Sequence, residues 1–202
     1  MESIYGKYEP TLEYVKNKIE QSLLDYQHEV YDKCQDKGFE HLAIRIKSDE
    51  SMRDKCRRKN VPETTESALS TLKDAIGIRI VCSFIDDVFS VINYIKSIPD
   101  TEVIKEKDFI RHAKPNGYRS YHMILAVKVP FEDVLGNNPG TYYVEMQIRT
   151  IAMDTWAALE HKMKYKKDIP NQELLVAELK RVADELASCD LSMQTIRDLI
   201  NR

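Results

Sequence analysis

The sequence is poor in cysteine and contains no long apolar run, and both shortages exclude classes of protein. Four cysteines occur in 202 residues, without Cys-x-x-Cys pairing or a histidine partner at metal-binding spacing, so we expect isolated thiols rather than a disulfide framework or a zinc site. No apolar stretch approaches the roughly 20 residues of a membrane-spanning helix, and the N-terminus lacks the apolar segment of a signal peptide. We therefore expect a cytoplasmic protein with no membrane partner.

An excess of positive charge is also absent. Lysine and arginine total 30 against 33 acidic residues, for a net charge of -3, which argues against indiscriminate binding of polyanions but allows a local basic patch. The length suits one well-cored domain with terminal extensions. A hydrophobic content of 43% and a charged content of 31% are ordinary for a globular protein.

The most informative stretch is residues 144–150, where apolar and polar residues alternate. Successive side chains of a strand point to opposite faces, so the apolar set enters a core and the polar set lies together on the other face. That polar set is a carboxylate, a carboxamide and a guanidinium: Glu145, Gln147 and Arg149. Upstream, a turn at residues 114–122 adds cations, aromatic rings and an imidazole: Lys114, Asn116, Tyr118, Arg119, Tyr121 and His122. Together they predict a nucleotide site.

Seven cations between residues 45 and 59 outnumber three acids. Arg45 and Lys47 end a predicted strand, and Ser48 or Ser51 begins a predicted helix. On that helix one face carries a hydroxyl and two cations at helical spacing: Ser51, Lys55 and Arg58. A solvated helix face remains an alternative, but cations that converge from a strand and the next helix suit a phosphate chain.

The nearly continuous apolar run of residues 76–84 predicts a strand covered on both faces. Arg79 interrupts the run, and because a buried cation needs a partner, we expect its side chain to reach a cleft. Asp74 lies just before the strand, where ligands collect at sheet ends. Taken alone, it fits a turn or a helix cap as well as a metal ligand.

Periodicity predicts the remaining elements. Helices are expected at residues 10–37, ended by Gly38, then from Asp86 to before Pro99, at 151–165, ended by Pro170, and at 175–200. Strands are expected at residues 39–47, 101–107, 121–129 and 144–150, with a polar connection at 61–70 and a hairpin connection at 131–142. The last helix carries an apolar heptad seam. Packing on the first helix and contact with another subunit both remain open for this seam, and Tyr5 and Tyr8 would extend such an interface.

In their order and spacing these motifs resemble the synthetase domain of the RelA/SpoT family, in its small stand-alone form. The matching segments are residues 45–47, 73–80, 116–122 and 145–150, with Trp156, Glu160 and His161. The resemblance implies an α+β fold, a mixed β-sheet flanked by helices as in nucleotidyltransferases, with N- and C-terminal helices. It divides the chain into an N-terminal helical segment (1–40), a synthetase core (41–168) and a C-terminal helix (169–202).

The resemblance also implies an activity, the transfer of pyrophosphate from ATP to the ribose 3'-hydroxyl of GDP or GTP, which makes the alarmone (p)ppGpp. Mg²⁺ is the implied cofactor. By the family pattern, the catalytic and metal-binding residues are Asp74 and Glu145. Those for ATP are Arg45, Lys47, Ser51, Lys55, Arg58 and Arg79. Those for the acceptor nucleotide are Lys114, Asn116, Tyr118, His122, Gln147 and Arg149.

Other readings of the same motifs remain open. Toxin members of the family pyrophosphorylate the 3'-end of tRNA, an activity that favours a basic surface outside the cleft, and acidic neighbours dilute the cations of residues 105–108. A catalytically silent nucleotide-binding regulator is the second alternative. The resemblance further implies a homo-oligomer, typically a tetramer, held through the terminal helices.

Overall fold

A five-stranded mixed sheet forms the centre of the protein, in a computed structural model that describes residues 3–164 and 171–200. The strands are β1 (His41–Ile46), β2 (Ile76–Cys82), β3 (Thr101–Asp108), β4 (Tyr121–Val129) and β5 (Gly140–Thr150). The helices are α1 (Glu9–Cys34), α2 (Asp49–Lys59), α3 (Ile85–Ser97), α4 (Ile151–Lys164) and α5 (Gln172–Ile200). The predicted α+β fold with a mixed, helix-flanked sheet is confirmed.

The strand order is β1-β2-β5-β4-β3, and β2 and β5 form the parallel pair. The neighbouring pairs are antiparallel. One face of the sheet, which we call the core face, packs against α1, α2 and α3. Apolar residues from the central strands, such as Ile80, Leu125 and Met146, are fully buried there. Burial of this apolar surface is the main favourable term in folding.

The opposite face of the sheet, which we call the cleft face, is only partly covered. On β2, Gly77 is half-buried and Arg79 is exposed, whereas Val81 is buried. The expectation that this strand is covered on both faces is therefore wrong for its first half. The physical reason is that α4, which follows directly from the end of β5, contacts β5 and β2 from the end of the sheet that holds Val81.

The first helix ends earlier than predicted. It stops at Cys34, and Gln35 takes the left-handed conformation (φ 57°) while its N–H donates to the carbonyl of Tyr31. Gly38, predicted as the end of the helix, lies beyond it at φ 72°, where a Cβ would come within 3.0 Å of the Tyr26 ring. Glycine is therefore favoured at this position for two reasons: it tolerates the positive φ, and it lets the backbone pass close to α1.

The connection at residues 61–70 is less irregular than its polar sequence predicts. It leads into a π-helical turn at Ser67–Thr71, and Ala68 and Leu69 of this turn are buried. After the turn, Lys73 adopts a positive φ of 54° directly before Asp74. Such a conformation is uncommon for a lysine and marks a backbone whose course the surrounding structure dictates.

The predicted hairpin connection between residues 131 and 142 does link β4 to the antiparallel β5, but it is shorter than predicted, because β5 begins at Gly140. The carboxylate of Asp133 organises it, because it accepts hydrogen bonds from the backbone N–H groups of Leu135, Asn137 and Thr141. The hairpin lies at the end of the sheet away from Thr150 and contacts the N-terminal part of the chain, where Phe131 packs edge-on against Tyr14.

The heptad seam of α5 divides into two parts. In the first part, Leu179 and Ala183 are buried in a small apolar cluster with Trp156 of α4. In the second part, Met193 and Ile196 are about half exposed, and Ile200 is 76% exposed. Within the described residues the main partners of α5 are α4 and α3. Of the two alternatives left open for the seam, packing on α1 is therefore not supported, and contact with another subunit stays a prediction. Tyr165 and Pro170, predicted to end the preceding helix, lie outside the described residues.

Tyr5 and Tyr8 are also placed differently from the prediction. Tyr5 is buried inside the fold at 2% exposure, and Tyr8 packs against the main core. The expectation that both rings extend an interface formed by the terminal helices is therefore wrong for Tyr5, whereas for the partly exposed Tyr8 it stays a prediction.

Among the described residues, no helix is both long enough and apolar enough to cross a membrane.

Candidate functional site

Strand register places the polar residues of the cleft face in two rows across the sheet. In one row, Arg79 of β2 pairs with Gln147 of β5, which pairs with His122 of β4. In the other row, Arg45 of β1 pairs with Gly77, which pairs with Glu145. The side chains of one row lie on the same face because each strand alternates with a period of two. Strands distant in sequence thus contribute to one surface.

A cleft of about 220 Å³ opens over the β1–β2–β5 part of this face. Arg45, Arg79, Glu145 and Gln147 line it, and Gly77 leaves open space at its floor, since nothing lies within 4 Å of where its Cβ would be. Two planar guanidinium groups on neighbouring strands can stack on an aromatic ring that enters between them.

Asp74 precedes β2, at the end of the sheet where Arg45 pairs with Gly77, and its carboxylate is buried. Its Oδ2 forms ion pairs with both Lys47, which follows β1, and Lys55 of α2. Its Oδ1 is buried and has no hydrogen-bond partner. Ser51 and Arg58 lie exposed on α2, one turn before and one turn after Lys55. A buried carboxylate with a free oxygen, next to two ammonium groups, suits a cation and a phosphate chain.

Glu145 stands at the wall between two cavities. It lines the cleft with Arg45 and Arg79, and it also lines a second cavity of about 130 Å³ with Lys105, Lys107 and His122. A carboxylate in this position can face groups that enter from either side.

The turn at residues 114–118, which we call the glycine turn, is built against the terminal helix. Gly117 has a φ of 90°, and a Cβ there would come within 2.5 Å of the Ala183 Cβ and 3.2 Å of the Lys180 Cα. The side chain of Asn116 accepts from the Tyr118 N–H and donates to Glu160 of α4. The course of the glycine turn is thus set by both α4 and α5.

The ring of Tyr118 is surrounded by cations and aromatic groups. Lys114 Nζ lies 4.7 Å from the ring centroid, and the rings of Phe109 and Trp156 meet it edge-on. The glycine turn also lines an open cavity of about 580 Å³ together with Glu160 and Val176. An aromatic ring at such an opening can stack on an unpaired base.

Arg149 is 5% exposed and joins the polar residues of this region into one network. Its guanidinium donates to the Tyr118 hydroxyl at 2.7 Å and to Gln147 Oε1 at 2.8 Å. The Tyr118 hydroxyl in turn lies 2.7 Å from His122 Nε2. Since the hydroxyl accepts from Arg149, it can donate its own proton to a neutral imidazole.

Lys105 and Lys107 also lie in this region, although we expected their acidic neighbours to dilute the positive charge of residues 105–108. They line the second cavity, whereas Glu106 bonds to Lys96 and the Tyr121 hydroxyl. The expected dilution is therefore wrong on the cleft face, because strand alternation sends the acid to the other side. The alternation of side chains along a strand could have revealed this arrangement, if it had been known which face of β3 points towards the cleft.

Asp154 is a second residue that sequence reasoning missed. From the first turn of α4, it lies 3.1 Å from Arg149 and 3.7 Å from Arg79. It thus links the two sides of the cleft face. Its place in the amphipathic pattern of α4 carries no signal for this contact, which exists only because α4 folds over the end of the sheet.

The described residues contain no cluster of three or more His, Cys, Asp or Glu side chains that could hold a metal ion. The unpartnered Oδ1 of Asp74 nevertheless fits an ion that takes few protein ligands. Mg²⁺ binds in this way, through one or two carboxylates and the phosphates of a substrate. The residues present therefore fit a divalent ion that arrives with a phosphate chain.

The sequence and the fold both resemble known proteins. Residues 44–170 match the family described as a region found in RelA / SpoT proteins. GTP pyrophosphokinase YwaC of Bacillus subtilis is 43% identical over 160 residues, which cover 78% of this chain and 73% of that protein.

Two solved structures are similar over nearly the whole chain. Small alarmone synthetase 1 of Bacillus subtilis, bound to its product pppGpp, has a TM-score of 0.76 and 31% identity over 96% of this chain and 95% of that one. Small alarmone synthetase 2 of Bacillus subtilis has a TM-score of 0.77 and 36% identity over 92% and 94%.

His122→Gln is expected to remove an acid-induced loss of stability. Burial, followed by the charge of Arg149, lowers the pKa of His122 from 6.5 to about 4. Between these values the unfolded chain binds a proton that the folded protein does not, so stability falls as the pH drops from 6.5 towards about 4. At about pH 5 the wild type should lose roughly 1–2 kcal/mol of unfolding free energy that the variant retains.

Denaturant unfolding at about pH 7.5 and about pH 5 measures this difference. His41→Gln, at an exposed position at the start of β1, is the matched control and should behave as the wild type. An acid-induced loss in His122→Gln equal to that of the wild type would contradict a neutral, buried imidazole.

Proposed function

The chain belongs to the RelA/SpoT family, and from this premise we propose that it is a GTP pyrophosphokinase. It transfers pyrophosphate from ATP to the ribose 3'-hydroxyl of GDP or GTP and thereby makes the alarmone (p)ppGpp. The observation that carries this proposal is the position of Glu145 between two cavities, one lined by Arg45 and Arg79 and the other by Lys105 and His122. A transfer reaction needs two nucleotides side by side with a proton acceptor between them.

We assign the donor side to the cleft over β1 and β2. Arg45 and Arg79 would hold the adenine between their guanidinium planes. The ATP phosphates would contact the cations around Asp74 and along α2: Lys47, Ser51, Lys55 and Arg58. The ion pairs of Lys47 and Lys55 with Asp74 support this assignment, because they bring both ammonium groups to one point.

Mg²⁺ is the divalent ion we propose, with Asp74 and Glu145 as its protein ligands. The free, buried Oδ1 of Asp74 supports the first ligand. When bound, the ion would withdraw charge from the ATP phosphates. The residues of the chain would then hold the phosphates, orient the acceptor hydroxyl and exclude water.

We assign the acceptor side to the glycine turn and the adjacent strands. Tyr118 would stack on the guanine, and the residues around it would line the same side: Lys114, Asn116, His122, Gln147 and Arg149. Lys105 and Lys107 would add positive charge for the acceptor phosphates. In this arrangement Glu145 lies within reach of the ribose hydroxyl and accepts its proton.

Incubation with labelled ATP and one acceptor at a time tests the proposal. Label should move to GDP or GTP in the presence of Mg²⁺. Label on deacylated tRNA instead would establish the tRNA-modifying alternative. Binding of both nucleotides without any transfer would establish a silent nucleotide-binding regulator.

Asp74→Asn and Glu145→Gln are each expected to lower transfer by a factor on the order of 10² to 10⁴, because each removes a metal-holding or proton-accepting oxygen. The rate at saturating Mg²⁺ measures the loss, and circular dichroism checks the fold. Asp54→Asn, on the exposed face of α2, is the control and should retain wild-type turnover. Wild-type turnover in either cleft variant would remove that residue from the mechanism.

Tyr118→Ala and Arg79→Ala are expected to affect different nucleotides. Tyr118→Ala should weaken binding of the acceptor nucleotide by roughly 1–3 kcal/mol, the scale of one lost base stack, and leave the affinity for ATP nearly unchanged. Arg79→Ala should weaken binding of ATP and leave binding of the acceptor nucleotide unchanged. Titration calorimetry with each nucleotide separates the effects, and Tyr118→Phe serves as the control that keeps the ring. If both alanine variants lost affinity for the same nucleotide, the two-sided site would be refuted.

We further propose that the chain forms a homo-oligomer, a tetramer, in which the terminal segments 1–40 and 169–202 flank the synthetase core of residues 41–168. The exposed end of the α5 seam supports this proposal: Met193, Ile196 and Ile200. A second chain is the natural cover for an apolar stripe of this length.

Met193→Glu combined with Ile196→Glu should split the assembly into smaller species, because a charge buried in an apolar contact costs several kcal/mol unless it is paired. Light scattering measures the mass of the wild type and the variant. Ser192→Glu combined with Thr195→Glu adds the same charge at exposed polar positions of the same helix and should leave the mass unchanged. A wild type that is monomeric at micromolar concentration would overturn the oligomer.

A further inference from the structure

Residues 3–8, which precede α1, pack beside the junction between β1 and α2. Ile4 and Tyr5 are 3% and 2% exposed, and the segment turns through a short 3₁₀ helix at Gly6–Tyr8 before α1 begins. Burial of this kind requires specific contacts with the rest of the fold.

Two hydrogen bonds tie this segment to the junction. The Tyr5 hydroxyl donates to the backbone carbonyl of Lys47 at 2.7 Å, and the N–H of Ile4 donates to Asp49 Oδ1 at 2.5 Å. Between these two acceptors lies Ser48, whose side chain caps α2 by accepting from the N–H of Ser51. The segment thus holds both sides of the point where the chain leaves β1 and enters α2.

The backbone of Lys47 is held from two directions as a result. Its N–H donates to the carbonyl of Ala75 at 2.8 Å, and its carbonyl accepts from Tyr5. Its side chain forms the ion pair with Asp74, the residue next to Ala75. Both peptide groups of a proposed phosphate-binding lysine are therefore fixed relative to the proposed metal ligand.

We propose that Tyr5 is a positioning residue of the donor side, whose hydroxyl fixes the backbone of Lys47 and so aims the ammonium group at Asp74 and the ATP phosphates. The inference rests on the proposed function, which makes this side the ATP site. Tyr5 itself does not touch the nucleotide. It acts through Lys47, because a peptide free to rotate would let the lysine side chain move away from Asp74.

The hydroxyl of Tyr5 is suited to this role as a permanent donor. Burial first, and the nearby charges of Asp74 and Asp49 second, raise the pKa of Tyr5 well above its ordinary value. The hydroxyl therefore keeps its proton and remains a hydrogen-bond donor to the Lys47 carbonyl.

Tyr5→Phe tests the proposal, because it removes one hydroxyl and keeps the ring. Tyr142→Phe is the matched control: Tyr142 is also 2% exposed, and its hydroxyl also donates to a backbone carbonyl, that of Glu132, at 2.8 Å in the hairpin far from the cleft. Both variants should lower the Tm to a similar extent. Only Tyr5→Phe should weaken binding of a non-hydrolysable ATP analogue with Mg²⁺, by about 3- to 10-fold, the scale of one hydrogen bond.

Titration calorimetry with the analogue and, separately, with GDP gives the two dissociation constants. For Tyr5→Phe the GDP value should stay within about twofold of the wild type. A lower Tm with unchanged binding of the analogue, or an equal loss for both nucleotides, would overturn the positioning role. Wild-type protein that binds the analogue but transfers nothing refutes the proposed function and leaves the positioning role standing, whereas failure to bind the analogue refutes both.

Asp49→Asn provides a second variant if Tyr5→Phe does not fold. It weakens the contact with the Ile4 N–H at a position whose side chain is 39% exposed. Binding of the ATP analogue should weaken in the same direction by a smaller factor, again without a change for GDP. Unchanged binding of the analogue in this variant would count against the role of the whole segment.

Discussion

Alternation of side chains between the two faces of the sheet is the constraint on which the rest of the structure depends. Burial locks residues such as Ile78 and Met146 onto the core face, and their neighbours Arg79 and Gln147 are then obliged to lie on the cleft face. A slip of one residue between β2 and β5 would bury a guanidinium and expose the core. The free energy that specifies the fold therefore also assembles the site.

Charge compensation at Asp74 ties the ends of three elements together. A buried carboxylate is costly without partners, and here the partners come from the end of β1 and from α2, as Lys47 and Lys55. The positive φ of Lys73 sets the direction in which the chain enters β2. The Tyr5 hydroxyl adds a hydrogen bond to the backbone carbonyl of Lys47. The contacts that make burial of the carboxylate tolerable are those that place cations for a phosphate chain.

The acceptor side depends on α5 in a different way. Gly117 lies against Ala183 too closely for any side chain, and the indole N–H of Trp156 donates to the carbonyl of Leu179. The same helix leaves the apolar side chains of its second half uncovered. A second chain on this half, as proposed above, would therefore contact the same helix against which the glycine turn is built.

The sequence by itself determined where the main helices and strands form and, apart from β2, which faces they bury, because periods of two and 3.6 residues are local properties. It also placed Glu145, Gln147 and Arg149 on one face of a strand, because strand alternation is a local property. Only the tertiary structure decided that Lys105 lies on the cleft face, that Asp154 links the two sides, and that Tyr5 supports Lys47. It alone decided that α5 packs on α4 instead of α1. Each of these depends on packing between segments distant in sequence, which no local pattern encodes.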